Sequence, residues 1–352
     1  MNTEFRIGNR TIGPGHPVFI VSEMSANHKN DLERAKEIIR QSKASGADAI
    51  KLQTYTADTI TMDSHQEWFQ VKTTAWKGRS LYDLYHEAST PWEWHAELKQ
   101  LAEDEGLIFF STPFDSSAVD FLEQLNTPVY KIASFELVDT PLIERVAKTG
   151  KPIIMSIGMA SEEEIREALV CARSNGAGTI ALLKCTSNYP AKAEDMNLKV
   201  VADLAKRFDV IPGISDHTPD NTVPIAAVAL GACIIEKHFT LDREDGALDS
   251  FFSLNPDQFR SMVEAVRLTE LALGKTQYQP TTSEQGSIAF RKSLFAITDI
   301  AQGAIIDSTN IKCIRPGIGA APKHYHELMG KRTKVVIERG TPINLNMFEE
   351  NS

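Results

Sequence analysis

Short runs of β-branched and other apolar residues alternate with amphipathic stretches from the N-terminus to Leu273. The runs are Val18–Glu23, Asp48–Gln53, Leu107–Ser111, Val129–Ala133, Ile153–Ser156, Thr179–Lys184, Val210–Ile214 and Cys233–Lys237. Each has the length of a strand. Between them lie helical patterns such as Asp31–Ser45, Trp92–Glu105, Ser116–Leu125, Pro141–Thr149, Ser161–Ser174 and Leu198–Arg207. In the last of these, Leu198, Val201, Leu204 and Ala205 recur at helical spacing. Ser161 and Glu164 have the spacing of a capping box, in which hydroxyl and carboxylate each satisfy an amide of the first turn. Gly46, Gly106, Gly150 and Gly231 follow helical patterns, where a left-handed residue is least strained as glycine. Eight such units predict parallel strands covered on both faces, and eight is the number that closes a (β/α)8 barrel. A doubly wound open sheet would want a glycine-rich turn after an early strand. Val18–Glu23 runs instead into Met24-Ser25-Ala26-Asn27-His28.

Two stretches break the rhythm. Thr56–Thr90, in the second unit, is long and carries Trp68, Trp76, Tyr82 and Tyr85. A long βα loop lies on the face of a barrel where chemistry takes place, so this insertion reads as a lid or a sugar platform, or else as a surface excursion with ordinary aromatic packing. After Leu273 the chain turns polar through Pro280 and Thr281-Thr282-Ser283, and Ser293–Ser352 is then a small β-rich unit. The predicted organisation is a barrel over residues 1–275, a linker over 276–292 and a small domain over 293–352. Within the last there is a faint echo. Ile300, Gly303, Ile306 and Ile311 recur as Ile337, Gly340, Ile343 and Phe348, which predicts two similar turn-and-strand elements related by pseudo-symmetry.

Composition narrows the partners. Acidic residues number 47 against 37 basic, a formal net charge of -10, which argues against a nucleic-acid binder and a polybasic membrane anchor. No apolar run approaches a membrane span and the polar segment Met1–Arg10 has no secretory core, so a cytoplasmic protein is expected. Cys171, Cys185, Cys233 and Cys313 are scattered and read as buried reduced thiols.

In a barrel, polar residues at C-terminal strand ends point to function. Here they are Glu23; Lys51 and Gln53; Ser111, Thr112 and Asp115; Lys131, Ser134 and Glu136; Ser156; Lys184, Ser187 and Tyr189; Ser215-Asp216-His217; and Glu236-Lys237-His238. Neutral imidazoles at positions 217 and 238, with a carboxylate such as Glu23, Glu236 or Asp249, would suit Mn²⁺, Co²⁺, Fe²⁺ or Zn²⁺. A hydrogen-bonded structural pair of histidines is the alternative. Lys51, Lys131, Ser134, Ser156 and Ser215 form a dispersed cradle for phosphate or carboxylate. Its bland counterpart is an ion pair across the mouth, Lys131 with Glu136 or Glu23. Phosphate, metal and a separate polar pocket together suggest a two-substrate addition.

Several stretches resemble the sialic acid synthase family, a barrel followed by an antifreeze-like (SAF) domain. They are Glu23-Met-Ser-Ala-Asn-His28, Lys51-Leu-Gln53, Ser111-Thr-Pro-Phe114, Tyr130-Lys-Ile-Ala-Ser134, Cys185-Thr-Ser-Asn-Tyr-Pro190, Gly213-Ile-Ser-Asp-His-Thr218, Glu236-Lys-His-Phe-Thr240 and Arg315-Pro-Gly317. Thr90-Pro-Trp-Glu-Trp94 and Asp249-Ser-Phe-Phe-Ser253 are most similar to its pseudaminic-acid-forming branch. The resemblance implies condensation of phosphoenolpyruvate with an amino sugar, here 2,4-diacetamido-2,4,6-trideoxy-L-altrose, to a nine-carbon 2-keto acid for cell-surface glycans. Sibling members make N-acetylneuraminic or legionaminic acid. It further implies a divalent metal (Mn²⁺, Mg²⁺ or Co²⁺) on His217 and His238. Phosphoenolpyruvate would sit on Lys51, Lys131, Ser134, Ser156 and Ser215, and Glu23 would act as acid/base. Gln53, Glu136, Tyr189 and Asp249 would meet the sugar, joined by Arg315 from the partner of a domain-swapped homodimer. The chain departs from the family pattern at Ile157, Ala247 and Phe251. A pyruvate-dependent metal aldolase and a catalytically silent carbohydrate-binding scaffold are the competing readings.

Overall fold

The computed structural model describes residues 4–8, 10–72 and 76–349. Parts of the polar N-terminus (1–3 and 9), of the insertion (73–75) and of the C-terminal end (350–352) lie outside the described residues. The chain forms two compact units, Met1–Gly274 and Lys275–Ser352.

The first unit begins with a hairpin of β1 (Phe5–Ile7) and β2 (Arg10–Ile12). Eight strands follow: β3 (Phe19–Glu23), β4 (Ala49–Thr54), β5 (Ile108–Pro113), β6 (Tyr130–Ile132), β7 (Ile153–Ser156), β8 (Ile180–Cys185), β9 (Ile211–Asp216) and β10 (Ile234–His238). They close in chain order, with β10 pairing β3, and every pairing is parallel. The open doubly wound sheet is thereby excluded.

Strand alternation sorts the side chains. Phe19, Val21, Ala49, Phe110, Ile154 and Leu183 belong to one apolar cluster that fills the barrel, and Ile7 and Ile12 of the hairpin join it. The alternate positions pack beneath the helices in two outer clusters. Ser161 and Glu164 form the capping box, the Glu164 amide donating to the Ser161 hydroxyl at 3.2 Å and the Ser161 amide to the Glu164 carboxylate at 2.7 Å. Gly46 combines a φ of +90° with close approach, since a Cβ there would lie 2.9 Å from Val263 Cγ1.

The described parts of the insertion carry regular structure. A helix at Ala57–Ile60 is followed by an antiparallel bridge between Gln70 and Ser80 and a helix at Leu81–Ala88. Ser80 caps the latter by accepting from the Asp83 amide at 3.0 Å.

The second unit pairs β11 (Ser293–Ala296) with β12 (Ile311–Ile314), antiparallel, over a core containing Leu294, Ile300, Ile306, Ile311, Ile343 and Phe348. The echo is a local two-fold. Ile300 and Ile337 exchange backbone hydrogen bonds of 2.8 and 2.9 Å. The Gly303 amide donates to Thr333 as the Gly340 amide does to Ala296, and Ile306 donates to Lys331 as Ile343 does to Leu294, all at 2.9 Å.

Within the predicted linker, Thr282–Phe290 forms a 3-10 helix that Thr281 and Glu284 cap reciprocally. One expectation needs correction: the cysteines are all free, but only Cys185 and Cys233 are buried, while Cys171 and Cys313 are half-exposed. Among the described residues, no helix is long and apolar enough to cross a membrane.

Candidate active site

At the C-terminal end of the barrel the inward positions change from apolar to charged. Register sets His238 beside Glu23 and Glu23 beside Lys51, and Glu236 beside Ser215. Lys51 Nζ lies 2.5 Å from Glu23 Oε2 and 3.9 Å from Glu236 Oε2, and donates to Thr112 Oγ1 at 3.2 Å. Lys131 Nζ lies 3.2 Å from Glu236 Oε1, which also accepts from the Ser215 hydroxyl at 3.0 Å. The ion pair across the mouth thus exists, but Lys131 takes Glu236, not Glu136 or Glu23. All four charged side chains are at most 5% exposed. Buried charge is tolerable only when paired, and here two lysines balance two carboxylates.

The pairing splits the carboxylates. Burial raises Glu23 above its ordinary range, offset in part by Lys51 and reinforced by the charge of Glu236. For Glu236 burial acts the same way, but Lys131 and Lys51 outweigh it and hold the group low. Burial likewise lowers Lys131, whereas in Lys51 its effect is overcome by Glu23 and Glu236. Two neighbouring carboxylates pushed apart in this way suit different roles, one exchanging a proton and one anchoring cations.

To one side lies a hydroxyl cluster. The Gly158 amide donates to Ser134 Oγ at 3.1 Å, and a Cβ at Gly158 would come within 2.8 Å of that oxygen and 2.2 Å of Ser187 Oγ. Ser156 Oγ is buried with no hydrogen-bond partner among the described residues. Ile157 faces away from it into the outer core, so this departure leaves the cradle's interior unchanged.

Above the charges opens a cavity of about 490 Å³, lined in part by Gln53, Glu136, Tyr189, His238 and Asp249. Gln53 Nε2 donates to Glu23 Oε1 at 3.1 Å and to Ser25 Oγ at 3.0 Å, and the Ser25 hydroxyl donates to Asp249. Glu136 Oε2 is buried without a hydrogen-bond partner among the described residues, and burial raises this carboxyl to about 7. Tyr189 packs its ring 4.4 Å from that of His217 and 5.1 Å from Phe252. Of the insertion's named aromatics, Trp76 and Tyr85 line the cavity. Trp68 is exposed, and Tyr82 bonds Asp58 instead. A larger cavity of about 1050 Å³ opens near the hairpin. On its lining, Arg10 and Arg267 pair with Asp48, and Arg267 also with Glu270.

The rings of His217 and His238 stand 5.2 Å apart. His217 Nδ1 donates to the Thr186 carbonyl at 3.0 Å, leaving Nε2 to serve as a ligand, while His238 Nδ1 is buried without a hydrogen-bond partner among the described residues. Burial keeps His238 neutral, as ligation requires. Burial raises the Cys185 thiol, 3.9 Å from His217 Nδ1, but His217, Ser134 and Lys131 together lower it to about 7, and Cys185 in turn raises His217 against its own burial. The expected third, carboxylate ligand is not found. Glu23 and Glu236 are bound to lysines and Asp249 to Ser25, and among the described residues no three His, Cys, Asp or Glu side chains group around a metal position. Two imidazoles fit an exchangeable divalent ion that takes its other ligands from water or substrate.

Arg315 lies exposed beyond β12 in the second unit. Sequence reasoning missed Glu236 as the partner of both lysines, together with Gly158 and Ser25. Glu236 had a visible signal, its place two residues before His238 and therefore on the same face of β10.

Residues 38–278 match the NeuB family and residues 291–349 the SAF domain. A pseudaminic acid synthase of Helicobacter pylori is 45% identical over 95% of this chain and 99% of its own. One from Campylobacter jejuni is 43% identical over 94% and 96%. An N-acetylneuraminic acid synthetase of Leptospira borgpetersenii, solved with citrate, superposes with a TM-score of 0.73 at 31% identity, covering 81% of this chain and 95% of that one.

Proposed function

The chain belongs to the NeuB family, and from that premise we propose that it condenses phosphoenolpyruvate with 2,4-diacetamido-2,4,6-trideoxy-L-altrose to pseudaminic acid, releasing phosphate. It is a transferase that forms a carbon–carbon bond. The observation that carries the reading is the buried square of Glu23, Lys51, Glu236 and Lys131 beneath a sugar-sized cavity.

Lys51 and Lys131 hold the phosphate and carboxylate of phosphoenolpyruvate, with hydroxyls from Ser134, Ser156 and Ser215. Glu236 keeps both ammonium groups aimed before the anion arrives, so little reorganisation accompanies reaction. Gln53, Glu136, Tyr189 and Asp249 orient the open-chain sugar so that its aldehyde carbon faces C3 of the enol phosphate. C3 forms the new bond, and Glu23, lifted toward neutrality by burial, gives its proton to the aldehyde oxygen. Water then adds to the cationic C2, and the Glu23 carboxylate left behind takes the proton of that water. The tetrahedral adduct then collapses with cleavage of the C2–O bond, and phosphate leaves. A divalent ion such as Mn²⁺, Mg²⁺ or Co²⁺ would be held by His217 and His238 and, when bound, would polarise the aldehyde as a Lewis acid. A second copy of the chain supplies Arg315 in a domain-swapped homodimer, and the enzyme works in the cytoplasm.

The test is phosphate release from phosphoenolpyruvate with each candidate hexosamine, with and without chelator, and the mass of the product. Release that requires the trideoxy sugar, with a product equal to both substrates plus water minus phosphate, is expected. Release without any sugar, or none with any of them, sinks the reading. Preference for N-acetylmannosamine would instead assign the N-acetylneuraminate activity.

A further inference from the structure

The lining of the cavity above the charged square is mixed. The strand ends and the loops after them contribute amide, carboxylate and imidazole groups, together with apolar Phe114, Ala133, Phe135 and Phe252. The insertion after β4 adds an aliphatic stretch, Ile60, Val71, Leu81, Leu84 and Ala88. Two further insertion residues on the cavity carry polar atoms, Trp76 and Tyr85. The indole N–H of Trp76 already donates to the Leu248 carbonyl at 3.3 Å. Tyr85 is braced by the edge of Tyr55, 5.8 Å between ring centres, and Tyr55 in turn by Phe114 at 4.9 Å.

The wall holds its shape through its own backbone. The Val71 amide donates to the Arg79 carbonyl and the Gly78 amide to the Val71 carbonyl, both at 2.9 Å. Leu84 is buried, and Ile60, Val71 and Leu81 are half-buried with their free sides on the cavity. A sugar hydroxyl turned toward these four residues would lose its water and find no acceptor or donor in them. A methyl group would lose nothing and gain contact area.

We propose that Ile60, Val71, Leu81 and Leu84 form a methyl-reading subsite, selecting amino sugars that carry a deoxygenated C6 over those with a hydroxymethyl group. The subsite rests on the condensation reading for its ligand and deepens it. The barrel rim recognises what all such sugars share, the aldehyde end and its polar neighbours. The insertion distinguishes among them by rejecting one oxygen. Hydrophobic pockets exclude an added hydroxyl only moderately, so the expected preference is roughly ten- to a hundredfold.

The experiment compares 2,4-diacetamido-2,4,6-trideoxy-L-altrose with its counterpart bearing the C6 hydroxyl. Binding of each to the full chain is measured by calorimetry, alongside phosphate release with phosphoenolpyruvate. The hydroxylated sugar should bind about ten- to a hundredfold more weakly. Val71→Thr is isosteric and Ile60→Thr is smaller by one carbon, and both positions are half-buried, so they test the wall without emptying a core, and at least one should bring the gap below about threefold. Equal affinities in the parent protein, or a gap that neither variant narrows, would overturn the proposal. The two readings fail separately. An affinity gap without phosphate release from any sugar removes the condensation and leaves the subsite, whereas phosphate release with equal affinities does the reverse.

Discussion

The lower and upper parts of the barrel interior are built from the same eight strands and differ only in which inward positions they use. Phe19, Val21, Ala49, Phe110, Ile154 and Leu183 make the lower part a packed hydrocarbon layer. A step further along the strands come Glu23, Lys51, Lys131, Ser156, Glu236 and His238, equally buried and nearly all charged or polar. The lower layer stabilises the fold by removing apolar surface from water. The upper one opposes folding through desolvation, recovers much of this by pairing, and leaves Ser156 Oγ and His238 Nδ1 without hydrogen-bond partners among the described residues. Stability and chemistry are thus separated along each strand by a few ångströms.

That separation can be broken from either side. The largest effect should come from replacing an ion pair of the upper layer by apolar residues of similar size. Lys131→Met with Glu236→Leu should lower kcat/KM at least about a thousandfold, since both an anion-binding charge and its anchor are lost. The melting temperature should hold or rise, because a buried pair replaced by hydrocarbon is often neutral or stabilising. A much lower melting temperature would show that the upper layer also holds the fold together.

The converse change lies in the lower layer. Leu183→Ala should destabilise by about 2–5 kcal/mol in chemical denaturation while activity per folded molecule stays close to that of the parent. A large loss of turnover in the folded variant would mean that the two layers are coupled.

A smaller, pH-dependent effect belongs to Glu136 at the cavity edge. Burial raises its folded-state pKa to about 7, above that of the unfolded chain. The stability linked to its proton is therefore complete below the usual carboxylate range and lost as pH rises through about 7. Glu136→Gln should flatten that loss when melts are compared at about pH 5.5 and about pH 8.5. An unchanged slope would show that Glu136 titrates near its usual value.

Smallest is Ser156→Ala. Removing a buried hydroxyl that has no hydrogen-bond partner among the described residues should raise stability by roughly 1 kcal/mol, while the KM for phosphoenolpyruvate rises about tenfold. A stability gain with no change in KM would separate Ser156 from the phosphate cradle.

The barrel was legible because its signal is local. Eight apolar runs, the capping box at Ser161 and the caps at Gly46, Gly106, Gly150 and Gly231 each follow from a few adjacent residues. The echo in the second unit was legible for the same reason, and its copies turn out to pair with each other through Ile300 and Ile337. Within the linker, polar composition gave no sign of the capped helical turn at Thr282–Phe290. In the insertion, aromatic content drew attention to Trp68 and Tyr82, which stand away from the cavity, and away from the aliphatic residues that line it.

Strand alternation and strand-end position determined from the sequence alone that Glu23, Lys51, Lys131, Ser215 and His238 would lie at one end of a barrel, because a period of two and a parallel direction place them there. Which of them touch was decided only by closure of the sheet. Lys131 meets Glu236 across 105 positions of chain, and Glu23 rather than Glu236 is lifted in pKa because two lysines converge on Glu236. Pairings of that kind depend on register and on the tilt of strands around the barrel, which no local pattern encodes.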